Sequence, residues 1–395
     1  MDSAQLDSIA IWLTDGARSA VRVDQFMAET CDRILACGMP LWRVGVFVRM
    51  LHPSILGRNF IWREGVGVTM GAIAHGDDES DDFLLSPLRH VFHEGKEVRH
   101  RLIGANVSNM PFLADMRAEG GTDYIALPLK MSDGAVHASS WLTRDPAGFS
   151  DAQLNGLRGL MPALTRMIEI HLLRRTAAGL LDNYVGARAG MRILAGQIRR
   201  GHTEIMQAAI WLSDLRGFTR LSDRLPPESV VEILNVYFDC QVPAILKHGG
   251  EVLKFMGDGL LAVFPVASND ADLSAVCGRA LEAAREAREA VENLRWSGTP
   301  AVEERFRFGV ALHVGNVLYG NIGGGDRLDF TCIGPAVNLA ARLEKIASQL
   351  HRTVVASARF TGATAAEWTD LGEFPVAGFA KAERVYGLKD ETPTS

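Results

Sequence analysis

The sequence predicts two α+β domains in tandem, each a sheet with helices packed on it. Three observations carry this. Short apolar strands alternate with helical patterns in both halves of the chain. A polar, Arg-rich stretch from Asp182 to Arg200, punctuated by Gly186, Gly190 and Gly196, separates the halves. The chain's 395 residues, 47% of them hydrophobic, suffice for two cores.

In the first half, Phe26, Met27, Ile34 and Leu35 mark a helix over about 23–36 that ends near Gly38-Met39-Pro40. Val44, Val46 and Val48 then share one face of a strand, and Phe60-Ile61-Trp62 belongs to a second. The Gly- and Asp-rich region from Gly71 to Asp82 reads as a loop. Segments Tyr124–Leu129 and Ala135–Leu142 flank Ser132-Asp133-Gly134, a hairpin signal. Ser150, with Gln153 three residues on, forms a capping box for a helix carrying Leu154, Leu157, Met161, Leu164 and Ile168. Such spacing suits either a stripe buried within the domain or a coiled seam.

The second half opens on the buried strand Ala208–Leu212. A helix over 228–247 follows, built around Val231, Leu234, Tyr237 and Phe238, and then a hairpin over 251–264 whose tip is Gly257-Asp258-Gly259. The alanine-rich helix from about Asp270 to Leu294 packs closely through Ala275, Ala280 and Ala284, and Phe306–His313 is another strand. Cys332 to Leu343 reads as strand, turn and helix.

Composition narrows the function. The 41 basic and 47 acidic side chains leave a net charge of -6, against a chain-wide affinity for nucleic acid or anionic membrane. Five cysteines without CxxC spacing argue against a disulfide framework or zinc knuckle and fit a reducing compartment. No basic region precedes an apolar one at the N-terminus, and no uninterrupted apolar run reaches membrane-spanning length, so a soluble cytoplasmic protein is expected. His90, His93 and His100 lack an accompanying metal-site pattern and read as surface or satisfied histidines. The glycine-rich Gly320–Arg327 lacks the Lys-Ser/Thr ending of a P-loop and reads as a flexible hairpin.

Asp214 just past a strand and Asp258 at a hairpin tip are the first chemical signal, because neighbouring strands would bring both carboxylates to one edge where they share divalent cations. Asn338 and Arg342, four apart, lie on one helical face and suit sugar and phosphate oxygens. Equally, an aspartate in a turn, an asparagine in a first helical turn and an exposed arginine serve ordinary structural ends.

On these and the following motifs, residues from about 208 to 387 strongly resemble the catalytic domain of class III nucleotide cyclases. The matching segments are Leu212–Thr219, Lys254–Gly259, Thr331–Gly334 and Val337–Arg342. The resemblance implies an α+β domain with a mixed sheet flanked by helices, and conversion of ATP to 3′,5′-cyclic AMP and pyrophosphate by a two-metal mechanism at a homodimer interface. It implies that Asp214, the Leu215 carbonyl and Asp258 ligate two Mg²⁺ or Mn²⁺ ions per active site. Asn338 would position the ribose, Arg342 steady the transition state, and Lys254 with Thr331 read the base from the partner side. Lys254 can donate to adenine N1 and Thr331 accept from the amino group, which favours ATP over GTP. Cys332 faces away from Thr331 and reads as core. Where many members carry a triphosphate-contacting lysine, this chain has Ala377, with Lys381 nearby as a substitute.

The first half resembles a GAF domain, an antiparallel sheet with flanking helices that senses small molecules. That likeness rests on the order of elements alone. The expected organisation is a GAF-like regulatory domain over 1–175, a helical connector over 176–202 and a cyclase domain over 203–390. An adenylate cyclase regulated through its N-terminal domain is the leading reading. A guanylate cyclase and a catalytically silent nucleotide-binding regulator are the alternatives.

Overall fold

In the computed structural model the described residues are 3–104, 110–267, 270–295, 306–325 and 327–391. The chain divides into two units, Met1–Leu180 and Leu181–Ser395. The first contains α1 (Ser3–Thr14), α2 (Val23–Ala36), β1 (Arg43–Arg49), β2 (Gly57–Arg63), β3 (Gly67–Ile73), α3 (Asp81–Leu84) and α4 (Pro87–Glu94). It continues with β4 (Val98–Arg101), α5 (Pro111–Ala118), β5 (Asp123–Lys130), β6 (Val136–Thr143) and the start of α6 (Asp151–Val185). Its six strands run in the order β3-β2-β1-β6-β5-β4, and every pairing is antiparallel.

The predicted periodicities explain this unit's core. Val44, Val46 and Val48 pack with Phe26 and Ile34 of α2. Leu154, Leu157, Met161, Leu164 and Ile168 of α6 join the same cluster, so that stripe is internal and not a coiled seam. The capping box forms reciprocally: the Ser150 N–H donates to Gln153 Oε1 at 2.9 Å and the Gln153 N–H to Ser150 Oγ at 3.3 Å. The region from Gly71 to Asp82 is not all loop, because Gly71–Ile73 finish edge strand β3 and a 3₁₀ turn follows at Asp77–Glu79. An edge strand exposes much of its surface, and β3 has no fully buried residue to announce it.

The first unit also buries Asp123 completely. Its Oδ2 accepts from Arg99 Nη2 at 2.7 Å, Arg101 Nη1 at 3.3 Å and the Phe149 N–H at 2.9 Å. Strand β4 and the entry to α6 are thereby pinned to β5.

The second unit contains α7 (Ala187–Leu194), β7 (Thr203–Leu215), α8 (Phe218–Arg224), α9 (Pro227–Asp239), α10 (Val242–Lys247), β8 (Glu251–Met256), β9 (Gly259–Pro265) and α11 (Asp270–Asn293). Then come β10 (Phe308–Gly324), β11 (Arg327–Ile333), α12 (Pro335–Gln349), β12 (Val354–Ser357), α13 (Ala358–Thr361), β13 (Trp368–Phe374) and β14 (Glu383–Leu388). The strand order is β13-β14-β12-β10-β7-β9-β8, with β11 paired to the far half of β10. The sheet is mixed, because β10 and β12 are parallel while the other pairs are antiparallel.

Alternation along β7 serves both faces. Ala209 and Trp211 pack with Ala280 and Ala284 of α11, while Ala208 and Ile210 pack with Ala189 of α7 and Ala340 of α12. Two sequence expectations change here, the single helix over 228–247 and the packing through Ala275. The helix over 228–247 is two helices, α9 and α10, and Pro243, with no N–H to continue a helix, lies in the first turn of the second. Residues Pro227–Lys247 do have the length and apolarity of a membrane span, yet Ile233, Tyr237, Ala244 and Ile245 are buried in the unit. Ala275 is exposed, whereas Ala280, Ala283, Ala284 and Ala287 are the packed positions of α11. Gly320–Gly324 are strand residues in register with β11, while Asp326 lies outside the described residues.

Removing the Asp123 carboxylate leaves two arginines facing a buried site. Asp123→Ala is expected to destabilise the first unit by about 3–5 kcal/mol. Urea unfolding of the full chain should show a transition at lower denaturant than in the wild type.

Candidate active site

Antiparallel pairing sets Ser213 of β7 opposite Leu260 of β9, so Asp214 stands beside the start of β9. The chain arrives there through a two-residue turn, Gly257-Asp258, closed by the Met256–Gly259 pair. Gly257 has φ +66°, a conformation that disfavours side chains, so glycine permits the tight reversal. Asp258 is thereby delivered to Asp214, and their side chains hydrogen bond.

Two carboxyls brought this close repel each other when charged. Asp214 is pushed up to about 7, first by burial and then by the hydrogen bond and charge of Asp258. Glu344 pushes in the same direction, and Arg216 opposes it. A cation between the carboxyls would relieve this repulsion, and hard oxygen donors suit Mg²⁺ or Mn²⁺. No cluster of three or more His, Cys, Asp or Glu that could hold a metal occurs among the described residues. Leu215 ends β7 with its side chain in the core, leaving its main chain for any role in the site.

The other expected residues lie on α12, β8 and β11. Asn338 and Arg342 are exposed on the outer face of α12, and neither side chain has a hydrogen bond or ion pair among the described residues. Lys254 of β8 donates to Asp329 Oδ2 of β11 at 2.6 Å. Two residues along β11, Thr331 is buried with its Oγ1 lacking a hydrogen-bond partner. Cys332 is buried in the core, where burial pushes its thiol up to about 12. Lys381 and Ala377 are exposed in the segment between β13 and β14.

The structure thus brings Asp214 to Asp258, and links Lys254 of β8 to the strand that carries Thr331 through Asp329. It also adds groups that sequence reasoning missed. Asp329 holds Lys254, and an ion pair of 2.5 Å joins Arg216, just past β7, to Glu344 on the inner side of α12. Both Arg216 and Asp329 stand within two residues of a recognised position, but no spacing links 216 to 344.

Burial and mutual repulsion make the metal-free pair's stability depend on pH. Folding raises Asp214 above its ordinary 3.8, so the folded state holds the extra proton, and stability falls as pH rises through about 7. Asp258→Asn removes the repulsion and should raise Tm more at pH 8 than at pH 5. With solvent screening discounted, the gain at pH 8 is about 1 kcal/mol, or roughly 2–4 °C. Melting curves in EDTA at both pH values measure the difference, and equal shifts would contradict the repulsion between the two carboxyls.

Residues 202–390 match the family described as the adenylate and guanylate cyclase catalytic domain. Among curated proteins, the chain is 32% identical over 208 residues to adenylate cyclase 1 of Rhizobium meliloti, covering 52% of this chain and 28% of that protein. It is also 32% identical over 154 residues to an adenylate cyclase of Anabaena cylindrica, covering 38% of this chain and 30% of that protein. The matches therefore span less than a third of these relatives' own lengths. A solved structure of the adenylyl cyclase CyaB from P. aeruginosa aligns with 26% identity and a TM-score of 0.41, over 48% of this chain and 97% of that one. The likeness to cyclases therefore lies in residues 202–390, within the second unit.

Proposed function

We propose that the chain is an adenylate cyclase, converting ATP to 3′,5′-cyclic AMP and pyrophosphate as a homodimer with shared active sites. The observation that carries this reading is the Asp214–Asp258 pair, two carboxyls held in contact at the ends of neighbouring strands. Asp214, the Leu215 carbonyl and Asp258 hold two divalent cations, Mg²⁺ or Mn²⁺, per active site. When bound, these ions acidify the ribose 3′-hydroxyl and offset charge on the triphosphate.

The chain's own groups supply positioning. Asn338 hydrogen bonds the ribose, and the Arg342 guanidinium donates to the phosphate oxygens that gain charge as the ring closes. Lys254, steadied by Asp329, donates to adenine N1, while the unpartnered Thr331 Oγ1 accepts from the adenine amino group. Lys381 reaches the triphosphate from its loop. The side chains of Asn338 and Arg342, exposed and without a hydrogen bond or ion pair among the described residues, support their use by a second subunit.

The N-terminal unit acts as a GAF-like regulatory domain for a small-molecule effector, joined through the connector. An apolar cavity of about 20 Å³ lies in it, bordered by Val46, Phe60, Arg58 and Arg175. Room for a single water means that an effector at this place would have to open it.

Two experiments test the reading. Changing Lys254 to Glu together with Thr331 to Cys should lower the ratio of kcat/KM for ATP over GTP by about tenfold or more. An unchanged ratio rejects the base-reading assignment. Asp258→Ala and Arg342→Ala should each be nearly inactive alone, whereas an equal mixture that exchanges subunits should recover roughly a quarter of wild-type activity, because half the dimers carry one intact site. Verified mixed dimers no more active than either parent would refute the shared site.

A further inference from the structure

In the shared-site reading, one chain contributes its Asp214 half to one active site and its Asn338–Arg342 half to the other. Something within the chain must fix the two halves relative to each other. Ala208 and Ile210 of β7 already pack with Ala340 of α12, and next to the carboxylates a polar tie is added, the ion pair of Arg216 and Glu344, at 2.5 Å with side-chain exposures of 17% and 9%. Arg216 follows Asp214 by two residues, and Glu344 follows Arg342 by two on the opposite, buried side of α12.

The surroundings are shaped to this pair. Gly309 of β10 is registered opposite Asp214, and a Cβ there would lie 1.6 Å from Arg216 Nη2. Glycine at 309 is what allows the guanidinium to lie across the strand toward α12. The Arg216 main-chain N–H also donates to the Arg307 carbonyl at 2.8 Å, so the arginine is anchored at both ends. Arg216 Nη2 is buried and has no hydrogen-bond partner among the described residues, so the guanidinium is held through Nη1. Both charges of the pair act on Asp214, in opposite directions.

We propose that Arg216 and Glu344 are positioning residues whose ion pair locks the metal-carboxylate end of β7 to α12, so that the two half-sites of one chain move as one body. The proposal rests on the cyclase reading above for the use of both halves. It predicts that breaking the pair without unfolding the protein misplaces the carboxylates relative to α12. A misplacement of that kind lowers kcat and leaves ground-state binding of ATP less affected.

The test uses the full-length protein with Arg216→Met, Glu344→Met and the double Met variant. Each single variant strands a buried charge and should lower Tm, and the double variant should recover most of the loss. In the double variant kcat with Mn²⁺ and ATP should stay about 10- to 100-fold below wild type with KM changed far less. The rise in Tm on adding Mn²⁺ should also be smaller than in wild type. A double variant with wild-type Tm, kcat and Mn²⁺ shift would overturn the proposal, since the pair would then only fill space. If the wild type forms no cyclic nucleotide, the cyclase reading fails, and the Mn²⁺ shift alone decides: unchanged in the double variant, it overturns the pair's role, and diminished, it supports it. If the double variant does not fold, Arg216→Lys replaces it: a lowered kcat at wild-type Tm supports positioning, and an unaltered kcat rejects it.

Discussion

Two carboxylates repel, so a protein that holds them in contact must supply a frame that does not relax. Here the frame is the hydrogen-bonded register of β7 between β9 and β10. It sets Ser213 opposite Leu260 and Asp214 opposite Gly309. The two-residue turn at Gly257-Asp258 then fixes the second carboxyl without a flexible loop. The cost of the contact appears in the raised Asp214, and the buried packing of Trp211 and Leu260 beneath holds the strand ends against it.

The same register organises the polar groups around the pair. The 17-residue strand β10 pairs with β7 along its length, and its far half also carries β11. Strand β11 thereby brings Asp329 to Lys254 and leads through Gly334 into α12. One helix then presents Asn338 and Arg342 outward and Glu344 inward, as its 3.6-residue period requires. The exposed pair of side chains and the internal tie to the carboxylates are therefore two faces of one element.

The first unit uses charge differently. Asp123 is buried with two arginines and a backbone N–H as partners, and this cluster fastens β4 and the entry to α6 to the sheet. Asp123 is thus met by cations and an N–H, while the half-buried Asp214 has another carboxyl, Asp258, as its neighbour.

Much was legible in the residues alone. Alternation placed β1 and the hairpin of β5 and β6, three- and four-residue spacing placed α2 and the core stripe of α6, and the Gly-Asp-Gly tip placed Asp258 at a turn. Those are local signals, written within a few residues by side-chain sterics and the two backbone periods. Edge strand β3 and the break between α9 and α10 escaped because exposure weakens the first pattern and a single proline interrupts the second. Among contacts between distant residues, the meeting of Asp214 with Asp258 was legible from their places at strand ends, but the ion pairs were not. That Lys254 meets Asp329, that Asp123 gathers Arg99 and Arg101, and that Arg216 reaches Glu344 across 128 positions follows from strand order and register. Those are decided when the sheet closes and buried charges find partners. The sequence determined which groups were available for chemistry; the tertiary structure decided which of them share a site, because desolvation and pairing act only between groups the fold has brought together.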